Sequence, residues 1–118
     1  MTTRKDRTYS EGEIAEKLKT LPGWRLEDGW LRRAYKTDGW PTTLMLVNSI
    51  GYIAEAANHH PDLVVTWGGV AVKLMTHSAR GVTDKDFELA RRIEESALWR
   101  PQGGALEGTP NTFVRSDT

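Results

Sequence analysis

The sequence predicts an α+β fold, in which a four-stranded antiparallel sheet carries helices on one face. Two pairs of β-rich runs are each joined by a short glycine-containing turn, and three segments with helical spacing of apolar residues alternate with these pairs. The predicted order is therefore helix, hairpin, helix, hairpin, helix. Short connections place consecutive elements side by side, so the two hairpins are expected to form one sheet beneath the helices.

The first helix is predicted from its start signal. Ser10 and Glu13 match a capping box, in which the serine and the glutamate each satisfy a free backbone N–H. The apolar stripe that follows consists of Ile14, Leu18 and Leu21. Pro22 and Gly23 predict the end of this helix.

The first hairpin follows directly. Residues 24–27 alternate apolar and charged side chains, as is typical of a half-buried strand. Asp28-Gly29 is a strong hairpin turn signal, so residues 30–37 are expected to pair back against the first strand.

The second helix is predicted at about 39–58. Pro41 suits its first turn, where a missing N–H costs nothing, and Pro61 prevents its continuation. Its buried face consists of Leu46, Ile50, Ile53, Ala54 and Ala57. The second hairpin joins 63–67 to 70–75 through Gly68-Gly69.

The third helix is expected to begin after Thr83, with acidic residues in its first turn. Its buried face consists of Phe87, Ala90, Ile93 and Ala97. Residues 10–100 are expected to form one domain, with flexible termini at 1–9 and 101–118. The alternative for the C-terminal tail is that Phe113 and Val114 dock on a neighbouring subunit as a short strand.

The composition excludes several classes of protein. A formal net charge of +0 argues against nucleic acid as a partner, because phosphate binding needs a basic surplus. The absence of cysteine excludes disulfides and thiolate sites, and no apolar run reaches the ~20 residues that span a bilayer. We expect a cytoplasmic protein without membrane attachment, which self-associates through its exposed sheet edges.

Three histidines are the candidate catalytic groups. His59 and His60 leave the second helix, and His77 leaves the second hairpin. Because a hairpin returns the chain to its starting edge, we expect the three rings to lie close together. Histidine titrates near neutral pH, so one ring can serve as an acid and another as a base. One boundary histidine is commonly a plain surface residue; the convergence of three makes a catalytic site as well supported as three surface residues.

A zinc site is the other interpretation of three histidines. It is disfavoured, because adjacent histidines rarely point the same way and neither HExxH nor an i,i+4 pair is present, so we expect no metal. Glu55 lies one helical turn before His59 and could orient that ring, or it could be a solvated helix residue. Asp86 could simply cap the third helix, and a strand residue such as Trp67 is more commonly part of a core.

Taken together, these residues resemble the signature of the pterin-4a-carbinolamine dehydratase family. The signature is carried by Glu55-Ala-Ala-Asn58-His59-His60-Pro61, then Trp67, His77 and Asp86. The segment 81–87 resembles the loop and helix start that follow in the family, and the resemblance covers roughly 10–98. Ser78 departs from it, since many relatives carry an acidic residue there, and Thr37 stands where an aromatic is usual.

The resemblance implies the family's α+β fold, a homodimer or homotetramer, and dehydration of a small-molecule pterin without any cofactor. The expected reaction converts 4a-hydroxytetrahydrobiopterin to the quinonoid dihydropterin and recycles the tetrahydropterin. His59 and His77 match proton-transfer positions, and His60 matches a supporting and pterin-binding position in the same catalytic group. The remaining motif residues, expected to contact the substrate, are Glu55, Trp67 and Asp86. The alternative is a non-catalytic dimerisation, coactivator or assembly-factor protein on the same fold; the three histidines favour the enzyme.

Overall fold

A computed structural model of the chain describes residues 6–117. The helices are α1 (Glu11–Leu18), α2 (Trp40–Ala57) and α3 (Asp84–Ala97), and the strands are β1 (Arg25–Glu27), β2 (Trp30–Thr37), β3 (Asp62–Thr66), β4 (Gly69–Leu74) and β5 (Val114–Ser116). A short 3-10 turn, His77–Ala79, lies between β4 and α3. The predicted fold class and element order are confirmed, with β5 as an additional strand.

The five strands form one antiparallel sheet. Four of them lie in the order β1-β2-β4-β3, and β5 pairs with β2 outside this order. The two hairpins meet where β2 pairs with β4, with Leu31 opposite Leu74 and Tyr35 opposite Val70. The other side of β2 is shared, since β1 pairs with its first residues and β5 with its last. The outer strand at the opposite edge is β3, which pairs with β4.

The two hairpin turns differ in how well the sequence predicted them. Asp28 and Gly29 have φ values of 52° and 82°, as a tight two-residue turn requires. The second turn is Trp67-Gly68 rather than Gly68-Gly69, because Gly69 is already paired in β4. A Cβ on Gly69 would lie 2.9 Å from the Tyr35 carbonyl oxygen, so this glycine serves close strand approach, not the turn.

The helices cover one face of the sheet. Alternate residues of β2 and β4 point into the core beneath α2 and α3, and their opposite-face neighbours are half-buried or exposed. The buried apolar residues of these two strands are Leu31, Tyr35, Val70, Val72 and Leu74. Within the described part of the chain, no helix combines the length and apolar character that crossing a bilayer demands.

An ion pair lies on the core face of β2. The Arg33 side chain is 2% exposed, and its Nε and Nη2 lie 2.8 Å and 2.9 Å from the two carboxylate oxygens of Glu94. Oε1 of Glu94 also accepts hydrogen bonds from the Tyr35 hydroxyl (2.7 Å) and from Trp24 Nε1 (2.9 Å). Burial and the adjacent Glu94 raise the pKa of Tyr35, so its hydroxyl remains a donor. This network ties β2 to α3.

The end of the chain differs from the predicted flexible tail. Val114 is 5% exposed and opens β5, whose Ser116 Oγ lies 2.7 Å from Arg33 Nη1. Arg100 closes the preceding loop, since its Nη2 donates to the Val114 carbonyl at 3.1 Å and its guanidinium lies over the Phe113 ring. A strand of three residues has no period to detect, so the sequence favoured a flexible tail; the alternative strand was expected on a neighbouring subunit, whereas β5 pairs with β2 of its own chain.

The predicted flexible start of the chain also makes contacts where it is described. The Tyr9 N–H donates to the Val82 carbonyl at 3.0 Å, and the Tyr9 ring packs edge-on against Phe87. The rest of that prediction, residues 1–5, lies outside the described residues.

Truncation after Arg100 is expected to lower the melting temperature by several degrees. The truncation exposes the β2 edge and removes a buried valine, which lowers the free energy of unfolding by about 1.5 kcal/mol or more. Differential scanning fluorimetry of the truncated chain measures the effect. Leu106→Ala, at a loop position 64% exposed, is the matched control and should melt like the full chain. An unchanged melting temperature on truncation would show that β5 adds nothing to stability.

Candidate functional site

The end of α2 fixes the direction in which the two adjacent histidines leave the helix. Asn58 adopts the left-handed conformation, with φ of 54°, which asparagine tolerates better than most residues. The His59 N–H then returns to the Ala54 carbonyl at 3.1 Å, closing the last turn. The left-handed residue ends α2, and His59 and His60 follow it directly.

The His59 ring is held by Asp86. Nε2 of His59 lies 2.7 Å from Oδ1 of Asp86, in the first turn of α3. The carboxylate is 0% exposed and the histidine side chain 14% exposed, so solvent hardly competes for this contact. A carboxylate that accepts from one ring nitrogen fixes the tautomer, which leaves Nδ1 of His59 available for chemistry.

Two buried threonines complete the surroundings of Asp86. Its Oδ2 lies 2.8 Å from the Thr76 hydroxyl and 2.9 Å from the Thr83 backbone nitrogen. The two threonine hydroxyl oxygens are 2.8 Å apart. Asp86 therefore closes the capping box of α3 and holds His59 at the same time. Within residues 6–117, every buried side-chain nitrogen and oxygen has a hydrogen-bond partner.

His77 is exposed and lies in the turn that follows Thr76. Thr76 is anchored to the far side of this turn, because its backbone pairs with Gly81. The His77 ring meets Trp30 edge-on at 5.4 Å between centroids, and Lys73 Nζ lies 4.5 Å from the centre of the same indole. The contact with Trp30 restricts where this exposed ring can point.

Glu55 contacts His60, where the sequence had suggested His59. Oε1 of Glu55 lies 2.8 Å from Nε2 of His60, and the two side chains are 83% and 55% exposed. A pair this open to solvent contributes little to stability. The contact keeps His60 at the surface, while His59 turns inward to Asp86.

Trp67 lies away from the histidines within the chain. A Cβ on Gly39, which precedes α2, would lie 3.3 Å from the Trp67 indole, and the Thr43 hydroxyl donates to the Trp67 carbonyl at 2.9 Å. The 18 residues of α2 span about 27 Å at 1.5 Å per residue. The structure thus places Trp67 at the start of this helix and the adjacent histidines at its end.

A groove of about 570 Å³ lies between α2 and α3, and His59 lines it. Its apolar walls include Tyr52, Ile53 and Leu89, and its charged groups are Lys85, Glu88 and Arg92. This volume lies in the range of small-molecule sites. The described residues contain no cluster of three or more His, Asp or Glu side chains arranged to hold a metal ion.

The family model described as pterin 4 alpha carbinolamine dehydratase matches residues 7–96. The chain belongs to this family. A relative from Aquifex aeolicus is 43% identical over 89 residues, which are 75% of this chain and 90% of that protein. One from Streptomyces coelicolor is also 43% identical over 89 residues, covering 75% and 88%. Both carry the name "Putative pterin-4-alpha-carbinolamine dehydratase".

A solved structure of the same kind comes from Brucella melitensis and is described as a transcriptional coactivator/pterin dehydratase. It superposes on this member of the dehydratase family with a TM-score of 0.71 at 31% identity, covering 75% of this chain and 96% of that one. The family match ends at residue 96, so β5 lies beyond it.

The sequence assigned no role to two residues beside the histidines, Thr76 and Trp30. Thr76 extends the core-facing alternation of Val70, Val72 and Leu74, and a polar residue at a core-facing position is a readable signal. The Trp30 contact had no such signal. It depends on how the 3-10 turn folds back, which residue spacing does not reveal.

Proposed function

We propose that this protein is an enzyme, a hydro-lyase that dehydrates a 4a-hydroxytetrahydropterin to the quinonoid dihydropterin. One observation carries the proposal. In a chain of the dehydratase family, Asp86 connects His59 by hydrogen bonds to Thr76, the residue before His77. One candidate proton-transfer group, His59, is therefore hydrogen-bonded to a buried network, and the other, His77, directly follows a residue of that network.

The reaction needs one acid and one base. The bond from C4a to the hydroxyl oxygen breaks, and the oxygen leaves as water after taking a proton. N5 of the pterin loses its proton, and its electrons form the C4a–N5 double bond. His59, through Nδ1, and His77 are the pair proposed to move these two protons, since imidazole gives and takes protons at neutral pH.

The surrounding residues are proposed to bind the pterin. His60 and Glu55 form a polar rim beside His59, suited to the hydrogen-bonding groups of a pterin ring. Asp86 acts through His59, because its carboxylate is fully buried and its two oxygens accept from His59, Thr76 and Thr83. The substrate is proposed to be 4a-hydroxytetrahydrobiopterin, whose dehydration belongs to tetrahydropterin recycling.

The test is stopped-flow absorbance of quinonoid dihydropterin formed from a chemically prepared 4a-hydroxytetrahydropterin. We expect the protein to accelerate its appearance, and the rate to be unchanged after dialysis against EDTA, because two imidazoles suffice for the proton transfers. Loss of activity on metal removal, restored by zinc, would contradict the metal-free mechanism. No acceleration at all would contradict the proposed enzyme activity. It would favour the second candidate function, a non-catalytic role. That candidate is supported by the Brucella melitensis structure, which is described as a transcriptional coactivator/pterin dehydratase.

A further inference from the structure

Thr76 occupies an unusual position for a polar residue. It is 3% exposed, lies two residues beyond the end of β4, and sits between the Asp86 carboxylate and the turn that carries His77. Its backbone N–H donates to the Gly81 carbonyl at 2.9 Å, and its carbonyl accepts from Ala79 at 3.1 Å. The main chain of Thr76 thus holds the turn, while its hydroxyl bonds to Asp86, the carboxylate that holds His59.

The direction of each hydrogen bond around Thr76 follows from the number of protons available. The Lys85 N–H donates to the Thr83 hydroxyl oxygen at 3.2 Å. The single proton of Thr83 can then go to the Thr76 oxygen, 2.8 Å away, and the single proton of Thr76 to Oδ2 of Asp86. Each hydroxyl donates once and accepts once.

These donors occupy Oδ2 of Asp86 and leave Oδ1 to accept from His59. Oδ2 of Asp86 already accepts from the Thr76 hydroxyl and from the Thr83 backbone N–H. Oδ1 is therefore directed at His59, whose Nε2 must carry the proton that the carboxylate accepts. The free lone pair of the neutral ring is then on Nδ1.

We propose that Thr76 is a positioning residue that fixes the tautomer and orientation of His59 through Asp86 and holds the turn bearing His77 in register with it. This inference rests on the proposed dehydratase function for its kinetic consequence, but the hydrogen-bond pattern stands without it. Thr76 touches no reacting atom. Its hydroxyl sets the geometry of the group that does.

The experiment compares Thr76→Val, which keeps the branched shape and loses the hydroxyl, with Thr76→Ser, which keeps the hydroxyl. Thr43→Val is the matched control, because Thr43 is equally buried and its hydroxyl bonds another threonine, Thr37, near the start of α2. We expect Thr76→Val to lower kcat about 10-fold or more with KM within twofold, the usual effect of removing an orienting partner. Thr76→Ser and Thr43→Val should stay within twofold of the wild-type kcat.

The second measurement is the ¹⁵N spectrum of the histidine rings, which reports the tautomer without any turnover. We expect neutral His59 to carry its proton on Nε2 in the wild type, Thr76→Ser and Thr43→Val, and to become a mixture of tautomers in Thr76→Val. An Nδ1–H tautomer in the wild type would overturn the proposal, even if Thr76→Val does not fold. So would equal losses of kcat in Thr76→Val and Thr43→Val, or a Thr76→Ser variant as impaired as Thr76→Val. If the wild type shows no dehydration, the proposed function fails, while the spectra still decide the role of Thr76.

Discussion

His59→Ala and His77→Ala are each expected to lower the dehydration rate by about 100-fold or more, the usual contribution of one acid or base group. His59 lies 2.7 Å from a fully buried carboxylate, and His77 is oriented against Trp30. Removing either ring leaves one of the two protons without a carrier. Single-turnover absorbance of quinonoid dihydropterin measures the loss, with enzyme in saturating excess over substrate so that weaker binding does not affect the rate.

His60→Ala is the comparison for these two variants. Its ring is 55% exposed and bonded to Glu55 on the rim, so we expect KM to rise more than kcat falls. Circular dichroism checks that each variant is folded, which matters most for His59→Ala because Asp86 loses one of its donors. Near wild-type turnover in folded His59→Ala and His77→Ala would remove both from the proposed mechanism.

Glu94→Ala is expected to destabilise the fold by about 3 kcal/mol, because it leaves the Arg33 guanidinium buried without its partner. It also removes the acceptor of the Tyr35 hydroxyl and the Trp24 indole. Urea unfolding measures the loss. Glu95→Ala is the matched control: this neighbour is exposed, its contact with Arg92 is 3.7 Å long, and its removal should change stability by less than about 0.5 kcal/mol.

The difference in unfolding free energy between the wild type and Glu94→Ala should also depend on pH. Burial acts to raise the pKa of Glu94, but the hydrogen bonds from Arg33 and Tyr35 outweigh it, and the pKa lies below the ordinary glutamate value. A lowered folded-state pKa stabilises the fold fully above the unfolded value of about 4.3, and this contribution is lost as the pH falls through the folded pKa. The gap between wild type and Glu94→Ala should therefore narrow below about pH 4. A gap no larger than that of Glu95→Ala at pH 7 would contradict the network's role.

Most of the fold could be predicted because its signals are local. The capping box at Ser10, the helix start at Thr83 and the Asp28-Gly29 turn each depend on a few adjacent residues, and all three are confirmed. The shifted second turn and the strand β5 could not be predicted this way. The first depends on how closely Gly69 approaches the neighbouring strand, and the second on a partner strand far away in sequence.

The candidate site combines residues that a family motif marks with residues that only the fold brings together. The family resemblance marked His59, His60, His77 and Asp86, whereas residue spacing left Glu55 either beside His59 or in solvent; it is exposed and contacts His60. Which side chain meets which ring depends on the left-handed turn at Asn58, which rotates His59 inward. Polar residues at core-facing strand positions, Arg33 and Thr76, were the unused signal, since burial of a polar group demands a partner.

The sheet offers very different borders to another chain. On one side, β1 and β5 share the border, each is three residues long, and charged Arg25, Glu27 and Arg115 interrupt them. On the other, β3 presents five residues that include Val64 and Val65, 54% and 39% exposed. A strand of another chain is therefore expected to pair with β3 rather than with β1 or β5. Two copies joined through β3 about a two-fold axis would use up that border in both, so growth would stop at a pair and could not continue into a fibre.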